Sequence, residues 1–436
     1  MSVNNPVGSS VSVLNISAGD TAWVLCSAAL VMLMTPALGF FYGGLVRHKN
    51  ILSLIIQCYA IFAAISILWA LVGFSLGFGH TSSHFLGDST YFALRNVGWE
   101  PYIDAPTVPG IAFFFFQLCA CAITPALVVG APAERFTLVS SVIFSCVWVI
   151  LVYCPVCHWV FHEEGWLREL GAKDFAGGMV VHMTAGYSAL IMAIITGKRN
   201  VPPGTQGGKF TLGPHNASYS VLGAALLWFG WFGYNGGGAF SANWQAALAI
   251  ASTNLSASAG GLSWTILEYF NEGRMSATGI ATGTVCGLIA MTPGCGFCPA
   301  WSSLIIGLLG GAFSYGVKRL SEHLHLVDDT LDVFACHGIC GTWGVFATGL
   351  FASKADTPGG VDGAFFGRGV MLGYQIAGIL SVAIYSMVLT AIIGYAMKFA
   401  KILRASSEDE EKGLDLSVHQ EPAYVTVADM QRTTSL

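Results

Sequence analysis

Apolar runs long enough to cross a bilayer recur along the chain from residue 20 to residue 398, separated by short polar segments. Eleven are counted, at 20–43, 51–79, 108–133, 137–160, 176–196, 217–239, 245–269, 276–292, 299–317, 332–353 and 370–398. The pattern predicts an all-α polytopic membrane protein with eleven transmembrane helices. It divides the chain into an outer N-terminal segment (1–19), one membrane domain (20–398) and a polar tail (399–436).

Composition supports that class, with 54% hydrophobic and 10% charged residues, against roughly 25% charged in a soluble domain. An odd number of spans puts the termini on opposite sides. The first 46 residues hold no Lys or Arg, and Arg47 and Lys49 follow the first span directly, which argues against a cleaved signal. With the N-terminus outside, 14 of the 19 Lys and Arg fall inside, Lys209 among them, and only Arg95, Arg168, Lys173, Lys354 and Arg368 fall outside. The positive-inside rule then gives N-out and C-in, here in a plasma membrane. Glycine is frequent within the runs, as in "WFGWFGYNGGGAF", which suits close helix packing. Membrane lipids are the expected surroundings, and neither nucleic acid nor a cofactor is called for.

Depth sorts the eleven histidines. Only His182 in the fifth run and His337 in the tenth lie well inside. His182 follows Asp174 by eight residues, roughly 12 Å of helix, and His337 follows Asp332 by five, roughly 8 Å. The two runs enter from opposite sides, so both rings reach the middle of the membrane. "DFAGGMVVHMTAG" and "DVFACHGICG" share the order Asp, small and apolar residues, His, Gly. That likeness predicts an inverted repeat of runs 1–5 and 6–10, with function at its interface. No Lys, Arg, Asp or Glu lies deep in any run. A path with two neutral imidazoles and no fixed charge suits a small neutral solute or a proton.

Twelve cysteines include "CPVCH", the c-type haem attachment pattern, and a second C-x-x-C in "CGFC". Covalent haem, a four-cysteine zinc site and ordinary packing compete here. Packing is the default, because "CPVCH" continues an apolar run. A membrane redox protein is therefore the alternative of a different class, and the expectation is no metal and no enzyme activity.

Several stretches together carry a family resemblance: "DFAGGMVVHMTAG" followed by "GKR", "WFGYNGG", "GAPAERF", "DVFACHGICGTWG" and "GLDLSVHQEPAY". They resemble the ammonium transporter family (Amt/Mep/Rh), and its ammonium transporter branch more than its Rhesus branch. The resemblance implies a homotrimer of eleven-helix protomers, each with its own narrow apolar pore. Ammonium would be recruited in an outer vestibule and deprotonated. Ammonia would then pass a hydrogen-bonded histidine pair, His182 and His337, with the proton crossing separately or net ammonium moving. Asp174 matches the acid at the outer start of the fifth span, with a structural and electrostatic role. Trp231, Tyr234 and Asn235 match the sixth-span segment of vestibule and gate. Methylammonium is a second candidate solute.

Three positions depart from the family pattern. Ala120 stands where a gate phenylalanine is usual, Phe161 where an outer tryptophan is usual, and Gly238 replaces a small hydroxyl residue. Either Phe116, one turn before Ala120, supplies the missing ring, or His162, Glu163 and Glu164 build a different mouth with carboxylates. The changes keep two alternatives in view, an ammonium sensor and a passive Rhesus-type ammonia channel. The tail resembles a regulatory segment that docks on the cytoplasmic face and offers a surface for a cytoplasmic regulator. Its marked positions are Ser406 and Ser407, as phosphorylation candidates, with Gly413, Asp415 and Tyr424. Asn15 heads a glycosylation sequon on the outer side, while the sequon at Asn216 begins inside and is expected to be unused.

Overall fold

The computed structural model describes residues 15–81, 83–200, 214–357 and 360–424. Residues 1–14 of the outer segment, Lys209 and residues 425–436 of the tail lie outside them. The described residues are helical, with no strand among them. The long helices are α1 (Ala18–Leu45), α2 (Ile51–Leu68, continuing through Trp69–Gly73 and Phe74–Phe78), α3 (Gly110–Val128), and α4 (Leu138–Trp148, continuing through Val149–Tyr153 and Cys154–Phe161). They continue with α5 (Gly178–Met183 into Thr184–Thr196), α6 (Ala217–Gly237), α7 (Trp244–Glu272), α8 (Ala277–Met291), α9 (Ser302–Leu324), α10 (Phe334–Ile339 into Cys340–Phe351) and α11 (Val370–Phe399).

Seven of the segments are long and apolar enough to cross a membrane by length and composition. Of the others, α8 is apolar but only 15 residues long. Helices α6, α7 and α9 are diluted by glycines, by hydroxyl and amide side chains, or by the charged end "KRLSEH". Polar caps set many starts: Ser17, Thr137, Asn216, Asn243 and Ser276 each accept an amide of the first turn at 2.9–3.2 Å.

Glycines place the helices against one another. On α6, a Cβ at Gly223 would lie 2.2 Å from the Phe41 amide nitrogen, and one at Gly233 would lie 2.6 Å from Leu30 Cβ, so α6 rides directly on α1. Helix α11 leaves a row of apolar side chains exposed, Leu380, Ile384 and Val388. The "CPVCH" stretch is part of α4 and runs through the interior. Both its thiols are buried, with Cys154 Sγ donating to the Gly73 carbonyl at 3.6 Å, and His158 Nδ1 lies 3.0 Å from the Gly77 carbonyl. Cys295 and Cys298 are buried as well, and no cluster that could hold a metal occurs among the described residues.

Candidate functional site

The site begins with the turn that starts α5. Asp174 Oδ1 accepts the amides of Gly177 (2.8 Å) and Gly178 (2.7 Å), and Oδ2 those of Met179 (2.6 Å) and Val180 (3.3 Å). A helix start leaves these amides without internal partners, and its positive end favours a carboxylate. Gly177 makes the turn possible. Its φ is +114°, and a Cβ there would stand 2.8 Å from the Tyr234 hydroxyl.

Helices α5 and α10 then cross at two glycines. A Cβ on Gly186 would lie 2.0 Å from the Gly338 amide nitrogen, so the two backbones are in contact. Each helix opens into a π turn near the crossing, Gly178–Met183 and Phe334–Ile339, and each of those turns contains a histidine. Wide turns of this kind are common at functional sites because they re-aim side chains.

The result is a buried pair, His182 and His337, with Nδ1 atoms 3.2 Å apart and ring planes inclined by 35°. A single proton bridges the two Nδ1 atoms when both rings are neutral, so their tautomers are complementary: one Nε2 is bare and the other carries hydrogen. His182 Nε2 is buried without a protein partner. Trp231 stacks on His182 (centroids 5.4 Å apart, planes 18°), and its indole N–H donates to Thr292 Oγ1 at 3.0 Å. Met34, Leu38, Ile123, Leu127 and Val285 complete the apolar wall of a lumen of about 10 Å³, the room of roughly one water.

Outside it opens a cavity of about 340 Å³, lined by Phe116, Ala120, Phe161, Asp174, Tyr234 and Gly238, all singled out from sequence. Val181 and Tyr234 line both cavities and form the partition between them. The Tyr234 hydroxyl is buried and unpartnered. Trp231 lines the lumen only. Asn235 lines neither cavity; its Nδ2 donates to Thr253 Oγ1 at 2.8 Å and ties α6 to α7.

His162, Glu163 and Glu164 do not line the outer cavity. His162 is buried, stacked at 4.4 Å on His158, and its Nδ1 accepts the Glu164 amide at 3.2 Å. The charged groups at the mouth are instead Asp104, Arg168 and Lys173, beside Asp174. Rings that sequence reasoning missed also line it, namely Phe78, Phe113, Phe175, Phe240 and Phe297. Phe240 sits edge-on to Phe116 at 5.6 Å, in the turn after α6 at a φ of +50°. Its only signal was the glycine run "GGGAF", which no helical period distinguishes.

The acid at the start of α10 is not the one expected. Asp332, matched to Asp174 by sequence, forms an ion pair with Lys318. Asp329 takes the corresponding place: its Oδ2 accepts the Phe334 amide, the first of α10, at 2.8 Å. It precedes His337 by eight residues, the spacing of Asp174 and His182.

The tail lies against the helix ends that are remote from the larger cavity. Ser406 caps the short helix Ser407–Lys412 by accepting the Asp409 amide at 3.1 Å, while Ser407 is exposed. Gly413, at a φ of +98°, passes so close to Lys49 that a Cβ would lie 2.6 Å from the Lys49 Cβ. Asp415 accepts the Leu52 and Ser53 amides at the start of α2 (3.2 and 2.8 Å), and Tyr424 hydroxyl meets His215 Nε2 at 3.2 Å. Arg404 joins Glu410 at 2.5 and 2.9 Å and donates to the Thr196 carbonyl at the end of α5. At the other end of the chain Asn15 is exposed, two residues before the cap of α1. Asn216 caps α6 and donates to Tyr424.

Residues 22–424 match the model of the Ammonium Transporter Family. The chain is similar to the ammonium transporter of Bacillus subtilis, at 40% identity over 407 residues, 93% of this chain and 98% of that one. Among solved structures it is similar to Saccharomyces cerevisiae Mep2, with a TM-score of 0.86, 33% identity and 97% of each chain covered. It is also similar to a protein described as "Sensor Amt Protein", with a TM-score of 0.84, 28% identity and coverage of 92% and 98%.

Proposed function

The chain belongs to the ammonium transporter family, and from that premise we propose that it conducts ammonia, taken from ammonium, past the His182–His337 pair. It is a multi-pass membrane protein of ammonium transport. In our reading α1 to α11 are its eleven spans, α1–α5 and α6–α10 form the inverted repeat, and three copies assemble in a plasma membrane with the N-terminus outside. The repeat reading draws on the two Asp-to-His spacings of eight and on the histidine-bearing π turns of α5 and α10. Lipids and neighbouring protomers would cover the exposed apolar faces. The docked tail would be read by a cytoplasmic regulator.

In this reading ammonium enters the outer cavity, where the rings of Phe113, Phe116 and Phe240 favour a cation by their π faces. At the Val181–Tyr234 partition it loses water. Moving an ion through a lumen this narrow and apolar costs far more than moving neutral NH3. Ammonium therefore gives up a proton, and NH3 moves on. The bare Nε2 of one imidazole accepts an N–H from the solute, and the N–H of the other donates to its lone pair. The released proton passes to water in the outer cavity and then either stays there, leaving net NH3 movement, or crosses separately and rejoins NH3 at the inner side, giving net ammonium movement.

The observation that carries this reading is the 3.2 Å contact between two imidazoles in an otherwise apolar lumen. Currents on a solid-supported membrane after an ammonium jump test it. A transient current lost in His182→Ala, with folded protein retained, supports electrogenic transport through the pair. Unchanged uptake and selectivity in both His182→Ala and His337→Ala would sink the assignment. The likeness to the protein described as a sensor keeps a second reading: ammonium binding without current or pH change would select it. A pH change without current would select a passive ammonia channel.

A further inference from the structure

We propose that Lys173 is a specificity-determining residue that holds down ammonium capture at the outer mouth by like-charge repulsion. The inference rests on the transport reading above and deepens it. Four charged side chains line the outer cavity: Asp104, Arg168, Lys173 and Asp174. Three of them are satisfied within the protein. Arg168 grips Asp104 through two bonds of 2.6 and 2.9 Å, and Asp174 is spent on four backbone amides. Lys173 alone has no carboxylate within ion-pair distance among the described residues. Burial first, and then the charges of Arg168 and Arg368, push its pKa down.

Its position is held by the backbone. Lys173 N–H donates to Gln375 Oε1 at 2.7 Å, and Gln375 Nε2 returns a bond to the Lys173 carbonyl at 2.8 Å and another to the Val345 carbonyl at 3.0 Å. Gln375 is buried on α11, so it clamps residue 173 without using the lysine side chain. A fixed positive charge thus shares a cavity with an incoming cation. The rings favour that cation and Lys173 opposes it, so the mouth discriminates by charge before the lumen does. The lumen carries no charge and is left untouched by this effect.

The test is concentration-dependent ammonium uptake into vesicles by the full-length protein and two variants. Lys173→Gln removes the charge, and Lys173→Arg keeps it. The expected result is a KM lowered by about three- to tenfold in Lys173→Gln, the size of a partly screened like-charge contact, with the maximal rate unchanged. Lys173→Arg should restore the wild-type KM, and raising the salt concentration should narrow the gap between wild type and Lys173→Gln. An unchanged KM in Lys173→Gln, or the same shift in both variants, overturns the proposal while leaving the transport reading intact. Absence of uptake by the wild type in every assay overturns both.

Discussion

The starts of α5 and α10 each lead into a π turn that carries a histidine, yet they are built differently. At the α5 start, Asp174 saturates both carboxylate oxygens with four amides. At the α10 start, Asp329 accepts the Phe334 amide with one oxygen, while the other is buried without a partner. Burial, and then the charge of Asp332, push the Asp329 carboxyl up to about 6. One end of the histidine pair is therefore held by a carboxylate with both oxygens hydrogen-bonded, and the other by a carboxylate with one bare oxygen. The crossing point is what the two helices share, and there they are equivalent: backbone meets backbone at Gly186 and Gly338.

Breaking the crossing should have the largest effect. Gly186→Leu places a side chain where the first carbon already falls 2.0 Å from the Gly338 nitrogen. Since overpacking alone costs about 1–3 kcal/mol and more when backbone must move, a loss of about 3 kcal/mol or more is expected. Thermal unfolding in detergent and the yield of monodisperse protein would read it. Wild-type stability in Gly186→Leu would mean that the crossing has slack and does not position the rings.

Next comes the pair itself. His337→Ala should lower ammonium uptake at least about tenfold or change selectivity towards methylammonium, because a hydrogen-bonding partner worth about 1–3 kcal/mol disappears from the lumen. His182→Ala should do the same and also unstack Trp231. Equal loss in the two variants would support the equivalence of α5 and α10. Uptake surviving in one of them alone would show that the pair is not symmetric in function.

Asp174→Asn should cost stability at the outer end. An amide group offers one acceptor atom and turns N–H towards amides that need acceptors, so a loss of about 2–3 kcal/mol is expected from the unsatisfied groups. A melting temperature within a degree of wild type would contradict the role assigned to the four bonds.

Much of this was legible in the chain. Ten of the eleven helix starts lie within two residues of the runs read from sequence, because a bilayer-length apolar run with polar flanks leaves little freedom; the exception, α9, begins at Ser302 rather than 299. His182 and His337 stood out because an ionisable ring in such a run is rare. The mouth was less legible, since Asp104, Lys173, Phe240 and Phe297 come from loops and turns with no period. The acid of α10 was misplaced for a geometric reason. Asp332 is nearer in sequence, but its φ of +55° and its pairing with Lys318 turn it away from the helix start, and only three-dimensional placement brings Asp329 there.

The smallest effect should come from Asp329→Asn, and its sign depends on pH. The carboxyl is raised from about 3.8 in the unfolded chain to about 6 when folded. The folded state therefore binds this proton more readily, and the group adds stability below about pH 4 that is lost as pH rises through 6. Asparagine can still accept the Phe334 amide but never becomes a buried anion. Relative to wild type, Asp329→Asn should then melt higher at pH 8 than it does at pH 5, by a few degrees at most. Melting temperatures measured across that range for both proteins would give converging curves towards acid. Parallel curves would mean that the second oxygen of Asp329 finds a partner in the folded protein, and the contrast between the two helix starts would fall.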